Sequence, residues 1–85
     1  MRVRIPSPLL SYTSRHEVAA SGATLGEVLA DLDRQFPGFR FRVVDEQQQL
    51  RPHMRAFVGQ DELRALDTPL APEQTLHLVQ ALSGG

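Results

Sequence analysis

The last two residues of the sequence, Gly84 and Gly85, place a carboxylate at the end of a segment that has no side chains. Such a carboxylate can be activated only if it reaches a nucleotide bound by another protein. A narrow channel leading to that nucleotide favours residues without Cβ, which also adopt backbone conformations closed to others. At a glycine content of about 7%, this pair arises by chance about once in 200 chains. The carboxylate of Gly85 is therefore our leading candidate for a reactive group.

The other residue types offer little competing chemistry. The sequence contains no cysteine, which excludes disulfides, thiolate metal sites and a cysteine nucleophile. Its three histidines lack the spacing of metal ligands, and its serines lack a nucleophile-elbow context, so we expect neither a metal site nor a hydrolase. With 85 residues, the chain has little material for a deep enclosed site. We therefore predict a protein that binds no cofactor and is not itself an enzyme.

The overall charge excludes several classes of partner. Nine arginines and ten acidic residues give a net charge of −1, so no global field favours a nucleic acid or a membrane. No apolar run reaches the length of a membrane span and no signal peptide is evident, which predicts a cytoplasmic protein. All basic residues except the histidines are arginines, so the chain offers no lysine side chain as an acceptor for isopeptide bonds.

An arginine cluster with two interleaved phenylalanines is compatible with an RNA-binding sheet. Its members are Arg40, Arg42, Arg51 and Arg55, with Phe39 and Phe41. The alternative is a half-buried strand with the phenylalanines inside and the arginines in water, and we favour it. If these arginines have a partner, an acidic protein surface fits the near-neutral net charge better than a polyanion.

One helix is clearly encoded between Thr24 and Phe36. Thr24 and Glu27 stand at the spacing of a capping box. Pro37-Gly38 ends the helix, and Gly26 in the first turn permits a close backbone approach. The apolar stripe of the helix consists of Leu25, Val28, Leu29, Leu32 and Phe36.

The other segments indicate strands. The first runs through Ile5 before the prolines at 6 and 8, and the second covers 15–20. A third is predicted over 39–46, followed by a strand, a turn at 59–60 and a short return over 54–64. The last strand, from Thr75, is partly apolar on both faces and suits a central position beside the first.

The predicted order is therefore β-β-α-β-β-β, in which one main helix covers one face of a mixed sheet of four to five strands. This arrangement is an α+β, β-grasp (ubiquitin-like) fold. We assign residues 1–82 to that domain and residues 83–85 to a flexible C-terminal Gly-Gly tail.

Three segments resemble the MoaD/ThiS family of ubiquitin-like sulfur carrier proteins, and the match covers nearly the whole chain. They are the helix "ATLGEVLADLDRQFPG", the strand and turn "RPHMRAFVGQDELR", and the ending "DTPLAPEQTLHLVQALSGG". The terminal glycine pair is the most specific of these elements. The opening "IPSPLL" and the segment "AASGATLGEVLADLD" look closer to carriers that feed cysteine biosynthesis, and to unassigned relatives, than to standard molybdopterin-synthase small subunits.

The resemblance implies a function for the tail. In that family an E1-like adenylyltransferase of the MoeB/ThiF type uses ATP to adenylate the C-terminal glycine, and sulfur then replaces AMP to give a thiocarboxylate. Gly85 would carry the sulfur, Gly84 would thread the channel, and Leu82 and Ser83 would form the lead. The sulfur would pass to a synthase that makes molybdopterin, cysteine or a related metabolite, and the chain would be a carrier or the small subunit of a molybdopterin-synthase-like complex. We predict partner docking through Phe57, Leu63 and Val79.

Two other functions stay open at this point. The chain could be a ubiquitin-like modifier joined to target proteins through Gly85, or a plain protein-interaction domain with an incidental tail. The absence of lysine prevents chains built on its own side chains but not single conjugation.

Overall fold

The computed structural model describes residues 1–81 of the 85. The predictions for Leu82, Ser83, Gly84 and Gly85, including the flexible tail over 83–85, therefore lie outside the described residues. The strands are β1 (Arg2–Arg4), β2 (Glu17–Ala19), β3 (Met54–Val58), β4 (Asp61–Leu63) and β5 (Thr75–Gln80). The helices are α1 (Leu10–Thr13), which follows a 3-10 turn at Ser7–Leu9, α2 (Leu25–Gln35) and α3 (Phe39–Val43).

The five strands form one mixed sheet in the order β2-β1-β5-β3-β4. β1 pairs with β5 in parallel, with Val3 opposite Leu76, and every other pairing is antiparallel. The last strand therefore lies between the first and the third, as its two partly apolar faces predicted. The β-grasp prediction is confirmed, with α2 as the main helix and two additional short helices.

Helix α2 is fixed by its cap and by its apolar stripe. The Thr24 hydroxyl accepts a hydrogen bond from the Glu27 amide at 3.2 Å, and the Glu27 carboxylate accepts one from the Ala23 amide at 2.9 Å. The predicted capping box is thus present, with the return bond one residue before the cap. Four residues of the predicted stripe are fully buried, whereas Phe36 is half-buried; the four are Leu25, Val28, Leu29 and Leu32.

The first turn of α2 is also held by the loop that precedes the last strand. The Gly26 amide donates to the Leu66 carbonyl at 2.8 Å and the Leu25 amide to the Thr68 carbonyl at 3.0 Å. These bonds satisfy two donors that a helix N-terminus leaves unpaired. A Cβ at Gly26 would lie 3.2 Å from the Leu66 carbonyl oxygen, which confirms the close backbone approach expected at this glycine.

The predicted third strand over 39–46 is wrong, because residues Phe39–Val43 form α3. Gly38 turns the chain with a φ of 94°. The Asp33 carboxylate then accepts hydrogen bonds from the amides of Gly38 and Arg40, both at 3.1 Å, and so caps the new helix. Phe39 and Val43, four residues apart, are both fully buried. The spacing that decides the structure is therefore helical, and Phe41 is left outside the core.

Asp31 connects α2 to the loop that leads from β2 into this helix. Its carboxylate accepts hydrogen bonds from Arg34 at 2.8 Å, from the Ser21 amide at 3.1 Å and from Gln35 at 2.8 Å. Gln35 also donates to the Ala19 carbonyl at 3.0 Å, which lies at the end of β2. The hydrogen bond from Arg34, followed by those from Ser21 and Gln35, holds the pKa of Asp31 below its ordinary value.

This lowered pKa predicts how stability depends on pH. The ionised Asp31 stabilises the fold above the pKa of an unfolded aspartate, about 4, and that contribution is lost as the pH falls further through the folded pKa. We expect Asp31→Asn to lower the free energy of unfolding at pH 7 and to flatten its decline below about pH 4. Urea denaturation over a pH series measures both effects. Glu73→Gln, at an exposed residue with no ion pair within residues 1–81, is the control. An equal pH dependence in wild type and Asp31→Asn would contradict this role.

Candidate functional site

The segment that leads to Gly85 leaves the domain from the middle of the sheet. β5 is paired with β1 on one side and with β3 on the other, where Gln80 lies opposite Met54. One residue later the Ala81 amide donates to the His53 carbonyl at 2.7 Å. The backbone is therefore held by the sheet through Ala81, the last described residue. A segment that starts here has a fixed origin on the surface of the domain.

The face of the sheet that points away from α2 carries two of the three predicted docking residues. We call it the outer face and define it by Arg55, Phe57, His77 and Val79. Phe57 lies opposite His77 and Arg55 opposite Val79 across the β3–β5 pairing. Val79 is 41% exposed and Phe57 is half-buried. Phe57, His77 and Val79 therefore form a partly apolar surface near the origin of the terminal segment.

Leu63, the third predicted docking residue, lies on the opposite side of the sheet. It pairs with Ala56 in the β3–β4 ladder, and both side chains belong to the buried core. Directly opposed residues in a ladder share a face, so the register places Leu63 beneath the sheet with α2. The three predicted residues consequently do not form one surface.

His77 is not among the predicted docking residues, although the alternation in the last strand carries the signal for it. Leu76 and Leu78 are buried, and His77 between them is exposed on the outer face. Its neighbour across the parallel ladder is Arg4. The alternation of buried and exposed positions along the strand is sufficient to place His77 on the same face as Val79.

Ion pairs flank the apolar centre of the outer face. Arg55 contacts Glu62 at 3.1 Å, and Arg4 contacts Glu17 at 3.1 Å. These side chains are substantially exposed, so each pair contributes little to stability. Their placement gives this face a polar rim around an apolar centre, which is the usual anatomy of a protein–protein interface.

Within residues 1–81 we find no group of three or more histidine, aspartate or glutamate side chains placed to hold a metal ion. No helix in that part of the chain is long and apolar enough to cross a membrane. A surface depression of about 620 Å³ is lined by 48–52 and by residues of β3 and β4, and its charged residues include Arg55 and Glu62.

The five-stranded sheet, the crossing helix and the central last strand define this chain as a ubiquitin-like β-grasp protein. A family model described as the ThiS family matches residues 3–85. The chain belongs to the ThiS family. This confirms the predicted membership in the MoaD/ThiS class of ubiquitin-like sulfur carriers, and the matched range includes the terminal glycines.

Individual relatives agree with this membership. The sulfur carrier protein CysO of Mycobacterium tuberculosis (strain ATCC 25618 / H37Rv) is 30% identical over 89 aligned positions, which cover 98% of this chain and 96% of that protein. A chain in the crystal structure of the Amycolatopsis orientalis BexX/CysO complex superposes with a TM-score of 0.89 at 27% identity, covering 99% of this chain and 98% of that one. SAMP1 from Haloferax volcanii superposes with a TM-score of 0.78 at 25% identity, covering 100% and 98%.

We expect side chains on the two faces of β5 to differ in how much stability is lost when they are shortened to alanine. Leu78 is 3% exposed, so Leu78→Ala should lower the free energy of unfolding by about 2–5 kcal/mol through lost burial and an internal cavity. Val79 is 41% exposed on the outer face, so Val79→Ala should cost less than about 1 kcal/mol. Chemical denaturation of both variants measures the difference. Similar losses in the two variants would show that the outer face is covered within the fold and is not available to a partner.

Proposed function

We propose that this protein is a sulfur carrier for cysteine biosynthesis, and that the carboxyl group of Gly85 is the atom group that carries the sulfur. The observation that supports this most is the similarity to sulfur carrier protein CysO over nearly the whole of both chains, together with a family match that extends to Gly85. The preference for a cysteine-pathway carrier over a molybdopterin-synthase small subunit rests on the same similarity.

The proposed chemistry takes place on the tail and in partner proteins. A carboxylate oxygen of Gly85 attacks the α-phosphate of ATP bound by an E1-like adenylyltransferase of the MoeB/ThiF type, and pyrophosphate leaves. Hydrosulfide or an equivalent sulfur nucleophile then attacks the acyl carbon, and AMP leaves. The product is a glycyl thiocarboxylate, whose nucleophilic sulfur is passed to a sulfur-accepting synthase. This chain supplies the acyl group and holds no cofactor of its own.

The fold supports this division of labour. The backbone is held by the sheet as far as Ala81. The four residues beyond it span at most about 14 Å when fully extended. Glycine at the last two positions lets this lead enter a narrow channel without a Cβ clash. A rigid domain with a short lead thus presents one carboxylate to an active site that lies inside another protein.

The outer face is our proposed docking surface for the activating enzyme. His77 and Val79 lie on β5, whose end is the origin of the lead, and Phe57 lies on the neighbouring β3, so an enzyme that takes in the lead meets them beside its channel mouth. Aromatic and aliphatic side chains at the centre of a polar rim are the residues that most often dominate binding energy.

A second candidate function is a protein modifier conjugated through Gly85. The similarity to the small archaeal modifier protein 1, SAMP1, favours it at the level of fold and modest sequence identity. The two functions share the adenylation step and differ in the nucleophile that takes the acyl group, which is sulfur for a carrier and a lysine amine for a modifier. Branched glycine remnants on other cellular proteins would support the modifier.

Removal of the glycine pair tests the proposed reactive group. The wild-type chain should stimulate ATP–pyrophosphate exchange by the adenylyltransferase encoded in the same genome. Deletion of Gly84 and Gly85 should abolish that exchange, because no carboxylate then reaches the nucleotide. Ser83→Ala, which keeps the length and the terminal glycines, should retain exchange within about threefold of the wild type. Undiminished exchange by the deletion variant would contradict the assignment of the carboxyl group at Gly85.

A further inference from the structure

The most exposed large apolar side chain among the described residues is Phe41, which is 60% exposed on α3. Exposure of one phenylalanine is ordinary, but this one is built into its surroundings. The Arg51 guanidinium lies over the ring at 4.6 Å from its centroid. Arg51 also donates through Nε to the Phe41 carbonyl at 2.7 Å, and its own amide donates to the Val43 carbonyl at 2.9 Å. The ring is therefore held in place and still accessible.

A surface depression of about 310 Å³ lies against this ring. Its lining residues, which we call the Phe41 patch, are Phe41, Arg42, Glu46, Arg51 and His53. Arg42 is exposed and makes no ion pair within residues 1–81, and the contact between Arg51 and Glu46 is long, at 3.9 Å. The patch thus combines an apolar ring with an excess of positive charge in a protein whose net charge is −1.

The patch is adjacent to the origin of the terminal segment. His53, one of its members, accepts the backbone hydrogen bond of Ala81 through its carbonyl oxygen. A protein that takes in residues 82–85 must therefore approach within reach of the patch. The patch is separate from the outer face, because α3 packs against α2, on the other side of the sheet.

We propose that the Phe41 patch is a second docking point for the activating enzyme, which meets it with an apolar pocket bordered by carboxylates. The ring of Phe41 enters that pocket and Arg42 and Arg51 face its acidic border. Charge complementarity favours this chemistry, since the exposed Arg42 and the half-buried Arg51 outnumber the single glutamate of the patch. Because Arg51 already fixes the ring, docking orders few side-chain torsions and loses little entropy. This inference rests on the proposed function for the identity of the enzyme.

Binding and turnover by the adenylyltransferase encoded in the same genome test the proposal on the full-length chain. Phe41→Ala and Arg51→Gln should each raise the KM for the carrier about tenfold and weaken its binding to the ATP-free enzyme by a similar factor. The kcat should stay within about twofold, because neither residue reaches the reacting carboxylate. Arg42→Gln should weaken binding at low salt more than at high salt. Arg2→Gln is the control. It removes one exposed arginine beside Thr75, at the opposite end of β5 from Ala81, and should leave KM unchanged.

The outcomes separate this proposal from the function on which it rests. A wild-type chain that is adenylated, with KM and binding unaffected by Phe41→Ala and Arg51→Gln, overturns the docking point alone. A wild-type chain that binds through Phe41 but is not adenylated supports the docking point and counts against the carrier function. Absence of any wild-type binding overturns both. Micromolar binding of a single-stranded RNA oligonucleotide that is lost in Phe41→Ala would assign the patch to RNA and overturn the proposal.

Discussion

The parallel pairing between β1 and β5 determines where the terminal segment begins and how His77 and Val79 of the outer face are placed. It places the last strand in the middle of the sheet, where hydrogen bonds from β1 and β3 hold it on both sides. Parallel neighbours need a crossover, and α2 provides part of it. The helix buries Leu25, Val28, Leu29 and Leu32 against the face of the sheet opposite the outer face. The end of β5 is consequently fixed to the core, and the segment beyond Ala81 starts from a defined point.

Because of this constraint, the surfaces proposed to bind the enzyme are distinct from the carboxylate proposed to react. The outer face around Phe57, His77 and Val79 and the Phe41 patch on the other side lie close to the same strand end. In our proposal they orient the domain on its activating enzyme, while the reacting carboxylate stands on residues that have no side chain. A carrier built in this way needs no internal cavity, which suits a chain of 85 residues. Small changes on either surface then alter which enzyme binds the carrier, with the reacting group unchanged.

Much of the fold was predictable because its strongest signals are local. The capping pair Thr24 and Glu27 and the stripe from Leu25 predicted α2, and the two-faced apolar pattern from Thr75 predicted a central last strand. The error at Phe39 arose because the alternation of phenylalanine and arginine fits a strand, whereas the capping carboxylate of Asp33 belongs to the preceding helix. The periodicity within one segment carries no information about a capping contact from another element.

The candidate site also has parts that are predictable from the sequence and parts that are not. The terminal glycines are visible in any reading of the sequence, since their chemistry depends on residue type and position alone. The face on which Leu63 lies depends on the register across the turn at Gly59, and a shift of one residue exchanges the two faces. The Phe41 patch depends on contacts between α3 and the loop that carries Arg51, which no local pattern encodes.

The most direct test of the account is the location of transferred sulfur. The full-length chain is incubated with its adenylyltransferase, ATP and sulfide, the thiocarboxylate is trapped by alkylation, and tandem mass spectrometry reads the C-terminal peptide. We predict that one carboxyl oxygen of Gly85 is replaced by sulfur and that the replacement requires ATP. An unmodified Gly85 while the enzyme consumes ATP in response to the chain, or sulfur bound at any other residue, would contradict the account.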